Sequence, residues 1–183
     1  MLSDGRFIIA EKPQDGALGY AYEVSPDGSL KPLVRGAPGL TILPLSGSRT
    51  FIFGTSVNSV LTLYAQTSTT TLALPIRTPA DKCIWAPYSA ATARKPATDV
   101  VLYCAVPNDA SAKNFLQDWY MGALHTSDTW WQINLTNGKT EKLQGTDSVG
   151  AIDVIDPSID PGGNFLAFKN NMDGTLWVLR IVK

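Results

Sequence analysis

The chain of 183 residues carries 15 Lys and Arg against 16 Asp and Glu, with one His, two Cys, 44% hydrophobic and 17% charged residues. That length suits one domain with a sizeable core. A net charge of −1, with no Lys/Arg stripe anywhere along the chain, argues against capture of nucleic acid. The longest apolar stretches, such as VLTLYA over 60–65, fall far short of the roughly 20 residues of a spanning helix, and MLSDGRFIIAEK has neither the basic segment nor the apolar run of a signal peptide. No direct membrane insertion by this segment is expected.

Short β-branched and aromatic runs bounded by Gly, Pro, Asn and Asp recur throughout, while no window keeps a helical period over about ten residues. The pattern predicts an all-β chain. In order, strands are expected at 5–11, 18–25 and 29–34, then at 40–45, 50–55, 59–66 and 69–75. They continue at 82–86, 99–106, 129–135 and 139–144, and end at 152–158, 164–169 and 175–182. Asp27-Gly28 and Asn137-Gly138 supply the positive-φ residues of tight hairpins. The repeat of about 45 to 50 residues early in the chain is that of propeller blades. The expected fold is a partial β-propeller of about three and a half four-stranded antiparallel blades, occupying 1–183 as a single domain. A β-sandwich is the competing arrangement. In the propeller phase the first blade lacks its innermost strand and the last its outermost. An open stack leaves sheet edges exposed, so the chain is expected to be the C-terminal part of a larger propeller.

Cys83 and Cys104 fall on neighbouring antiparallel strands, where a disulfide and two buried thiols are both open readings. The connection over 107–128 is far longer than a hairpin loop and is expected to share a face with the connections between blades. It places Asp118, Trp119, Tyr120 and His125 on the candidate binding side. Trp119 and Tyr120 either grip a partner or fold back onto their own blade. His125, the sole histidine, has no nucleophile setting around it and reads as a solvated loop residue, so no catalytic residue is assigned. Asp153, Asp156 and Asp160 crowd one strand, but alternation puts Asp153 and Asp156 on opposite faces unless a bulge intervenes, and DPSIDPGG reads as a turn. No metal site and no cofactor are expected. Trp130, Trp131 and Trp177 are expected to pack between blades, and 87–98 reads as a mobile loop.

The elements KCIWAP, VLYCAVP, DWYMG, SDTWWQINLTNGKTEKL and DPSIDPGGNFLAFKNNMDGTLWVL resemble those of uncharacterised envelope propellers of candidate-phylum bacteria, akin in architecture to TolB-type and WD40-like propellers. The resemblance covers about the last hundred residues well and the first eighty by pattern only. It implies an extracytoplasmic envelope location and, in such proteins, a membrane anchor ahead of the propeller; none is read within these residues, which fits the open strand phase. The expectation for function is a non-catalytic scaffold, not an enzyme, that binds an unidentified protein or glycan. The alternatives are an accessory propeller domain of a peptidase and a glycan- or ion-binding module.

Overall fold

The computed structural model describes residues 5–11, 13–88, 97–143 and 150–181. Its strands form four small antiparallel sheets, each a meander in chain order. Sheet 1 holds β1 (Phe7–Ala10), β2 (Leu18–Val24) and β3 (Leu30–Pro38), and sheet 2 holds β4 (Thr41–Pro44), β5 (Phe51–Val57), β6 (Val60–Gln66) and β7 (Thr71–Ala73). Sheet 3 holds β8 (Cys83–Trp85), β9 (Val101–Pro107), β10 (Asp128–Asn134) and β11 (Thr140–Lys142); sheet 4 holds β12 (Val154–Ile159), β13 (Phe165–Asn170) and β14 (Leu176–Arg180). The strands group into sheets as the turn and alternation pattern predicts. The two predicted hairpin turns are present, with Gly28 at φ +82° and Gly138 at φ +77°. Between β5 and β6, Asn58 and Ser59 adopt φ +49° and +66°, the left-handed pair that a two-residue hairpin requires.

Consecutive sheets pack face to face, because alternate side chains of each strand point to opposite neighbours. Sheets 1 and 2 meet through Ala21, Ala37 and Leu40 with Phe53. Sheets 2 and 3 enclose the larger core of Ile52, Leu63, Leu74, Trp85, Leu102 and Ile133. Sheets 3 and 4 join through Tyr103, Ala105, Trp130, Val154, Leu166 and Phe168, with the Trp130 and Phe168 rings 5.4 Å apart. Trp177 packs against this core and Trp131 against the preceding one, so all three tryptophans contribute to the interfaces between sheets. Strand β9 illustrates the arrangement: Leu102 and Cys104 face sheet 2, while Tyr103 and Ala105 face sheet 4. The outward faces of the first and last sheets carry exposed apolar side chains, among them Phe7 and Ile9 on β1 and Leu176 and Val178 on β14.

Three local features differ from the sequence expectation. Strand β3 runs on to Pro38, with two register shifts against β2. The segment DPSI belongs to β12, where the register shifts between Ile155 and Ser158 and Asp156 takes φ +52°. Only DPGG makes the turn: Asp160 accepts hydrogen bonds from the backbone N–H groups of Gly162, Asn164 and Phe165. Third, the long connection contains a helix, α1 (Phe115–Tyr120). Within 87–98, residues 89–96 lie outside the described residues.

Candidate functional site

A six-residue helix has too few hydrogen bonds to stand alone, so α1 is held by what it packs against. Phe115 and Leu116 are buried against Leu61 of β6. Gly39, at φ +62° between sheets 1 and 2, leaves the space: a Cβ there would stand 2.7 Å from Ser56 Cβ and 3.0 Å from Leu116 Cδ1. Polar anchors complete the docking. Asp15, in the β1–β2 connection, accepts the Gln117 N–H at 3.0 Å and the Ser56 hydroxyl at 2.5 Å. Ser59, in the β5–β6 turn, donates to the Lys113 carbonyl at 3.0 Å.

The far end of the helix closes over a buried ionic network. Lys82, from a 3-10 turn at Ala80–Lys82 between sheets 2 and 3, is fully buried. Its ammonium lies 2.6 Å from Asp153 Oδ1, 2.6 Å from Asp128 Oδ2, 2.9 Å from Thr126 Oγ1 and 3.2 Å from the Val154 carbonyl. It also sits 4.5 Å from the centroid of the Trp119 ring. Asp153 Oδ1 accepts from Trp119 Nε1 and Thr126 Oγ1, each at 2.8 Å, and Asp153 Oδ2 accepts from Asn171 Nδ2 at 3.1 Å. His125 Nδ1 stands 3.3 Å from the same oxygen.

One ammonium faces two carboxylates that are both shut off from solvent, and the two differ in how well they are satisfied. Burial works to raise the Asp153 carboxyl, but the Lys82 charge and the donors from Lys82, Thr126 and Trp119 outweigh it and hold the group at about 2. Burial dominates at Asp128 and raises its carboxyl despite Lys82. Geometry agrees: Asp128 Oδ2 receives Lys82 and the Val154 N–H, whereas its buried Oδ1 finds no partner among the described residues.

On the other side of Trp119 lies a cavity of about 470 Å³, within the usual range of small-molecule sites. The first strands of three sheets wall it, through Leu43 of β4, Ile84 of β8, and Ile155 and Pro157 of β12. Asp81, Asp156, Tyr120 and Asn171 supply its polar groups. Asp81 is exposed at the cavity, and the protein packed around its carboxyl raises it, by desolvation, to about 6. The Tyr120 hydroxyl donates to Asp81 Oδ2. Trp119 and Asn171 belong to both the cavity wall and the Asp153 shell, so the two features share a partition.

The predicted binding residues separate. Tyr120 is half-buried on the cavity wall, whereas Trp119 takes the inward alternative, 4% exposed, and reaches the wall with little of its surface. His125 is an exposed loop residue, as expected, whose Nδ1 also stands 3.3 Å from Asp153 Oδ2. Asp118 does not line the cavity; its carbonyl accepts the N–H groups of Ala123 and Leu124 and closes the helix. Cys83 and Cys104 are directly opposite in the β8–β9 register and joined as a disulfide, with Cys83 on the cavity wall. Sequence reasoning passed over Lys82, Asp81 and Asp128; the signal available was a charged Asp-Lys pair directly ahead of the apolar CIW strand.

Among the described residues, no group of three or more His, Cys, Asp or Glu is arranged to hold a metal ion, and no helix is long and apolar enough to cross a membrane. No protein-family model matches the chain, and no curated protein matches it in sequence.

Proposed function

We propose that the chain is a non-catalytic binding module: a sector of a β-propeller at the bacterial cell envelope that engages a partner protein through the cavity beneath α1. The observation that carries this reading is the cavity itself. It is walled by the first strands of three sheets and roofed by an insertion that is anchored at several points, so its polar groups are pre-positioned and little ordering cost falls on binding. Lys82 serves as a positioning element, because its ammonium is saturated by acceptors and sealed from the cavity. The four meander sheets, stacked face to face with apolar side chains on both terminal faces, support the propeller sector. The Cys83–Cys104 disulfide supports an oxidising compartment.

Screening the immobilised chain against peptide and glycan arrays tests the reading. Peptide binders are expected that are lost on Tyr120→Ala, with the Tm held near wild type. Binding confined to glycans, or binding indifferent to Tyr120, would overturn it.

A further inference from the structure

We propose that the cavity receives the cationic side chain, guanidinium or ammonium, of a basic peptide segment; this rests on the chain being a binding module and names what that module takes. Among the described residues, the charged groups on the cavity wall are Asp81 and Asp156, both acidic. The nearest cation in sequence, Lys82, is turned away into Asp128 and Asp153 and offers the cavity no compensation. The remaining wall is mainly apolar, formed by Leu43, Ile84, Ile155 and Pro157. Both acids are exposed at this wall, so their charges meet an incoming cation at contact range, where salt screens the attraction less than beyond the Debye length.

Two further observations agree with a cationic occupant. The raised carboxyl of Asp81 marks a negative charge that the protein leaves uncompensated, and an incoming cation would stabilise its ionised form. The wall also presents Tyr120, whose ring lies 4.9 Å from that of Trp119. Trp119 already holds the Lys82 ammonium on the buried side, and Tyr120 offers the corresponding aromatic surface on the open side. The cavity volume of about 470 Å³ accommodates an extended arginine or lysine side chain with a short stretch of its backbone.

The test is an NMR titration of the whole chain with blocked tripeptides of the form Gly-X-Gly, where X is arginine, lysine, citrulline or glutamate. The Trp119 indole and the backbone amides of Asp81 and Tyr120 report binding. Arginine and lysine peptides are expected to shift these signals. Citrulline, which matches the shape of arginine without its charge, is expected to bind at least about tenfold more weakly, as for loss of a charge-assisted hydrogen bond. The combined Asp81→Asn and Asp156→Asn variant should weaken the arginine peptide by a similar factor, and Asn tolerates the positive φ at position 156. The citrulline comparison needs no variant and stands even if that protein folds poorly. Equal binding of citrulline or glutamate peptides would overturn the cationic assignment while leaving the binding module intact. Calcium alone shifting the same signals, with the arginine peptide inert, would assign the carboxylates to a metal and overturn the proposal. Silence of the cavity to all four peptides, together with blank peptide arrays, would remove both readings.

Discussion

Lys82 and Asp153, 71 positions apart in the chain, meet at 2.6 Å with neither side chain exposed to solvent. The contact joins the connection between sheets 2 and 3 to the entry of sheet 4. Breaking a buried pair from one side leaves a charge without compensation, which typically costs about 3–5 kcal/mol. Lys82→Met, which strands two carboxylates, is therefore expected to lose stability on that scale in urea unfolding. Asp128→Asn removes the poorly satisfied charge and keeps an oxygen to accept from Lys82, so its loss is expected near 1 kcal/mol. Equal losses for the two variants would show that the excess charge is not concentrated at Asp128.

Asp153 and Asp81 make opposing contributions to the pH dependence. Asp153 is held at about 2, below its ordinary 3.8, so its contribution is complete above the ordinary value and is lost as pH falls towards 2. Asp81 is raised to about 6, so the folded state holds its proton more tightly than the unfolded chain does. Its contribution is present below 3.8 and lost as pH rises through about 6. Asp81→Asn should therefore gain Tm relative to wild type as pH is taken from 4 to 7. A difference that stays flat across that range would refute the raised carboxyl.

The disulfide joins residues 21 apart on paired strands. Loop-closure entropy for a separation of this order corresponds to about 3 kcal/mol. The double variant Cys83→Ala, Cys104→Ala should lose about that much in denaturant unfolding, and dithiothreitol should reproduce most of the loss in wild type. Alkylation of both thiols in non-reduced protein, read by mass, would contradict the bond.

Trp119 and Tyr120 are adjacent but should behave differently. Trp119→Phe keeps most of the buried ring and removes the donor to Asp153, for an expected loss of about 1–3 kcal/mol. Tyr120→Phe removes a hydroxyl at the cavity wall and should leave stability within about 0.5 kcal/mol. Thermal unfolding of the two variants separates the structural residue from the wall residue; matching losses would place both in the core.

Strand order was legible because its determinants are local: alternation along β5, β9 and β13 and turn pairs such as Asp27-Gly28 act within a few residues. Helix α1 was not, because six residues give less than two turns of periodicity and its apolar pair Phe115-Leu116 finds its partner Leu61 far away in sequence. The burial of Lys82 was equally invisible, since lysine is ordinarily solvated and its side-chain partners lie 44, 46 and 71 positions away. Asp153 joins the buried network and Asp156 the cavity wall, while the register shift between Ile155 and Ser158 is a feature that alternation along the strand does not reveal.

The insertion that carries α1 leaves from β9 and returns to β10 in sheet 3, yet its contacts reach Asp15 beside sheet 1, Leu61 in sheet 2 and Asp153 at the edge of sheet 4. It cannot swing clear as a hinged lid would without releasing three other sheets in the same event. Hydrogen exchange at the Gln117 and Asp118 amides should then follow whole-molecule unfolding and not a local opening. The insertion beside the cavity thus behaves as a cross-brace between the sheets.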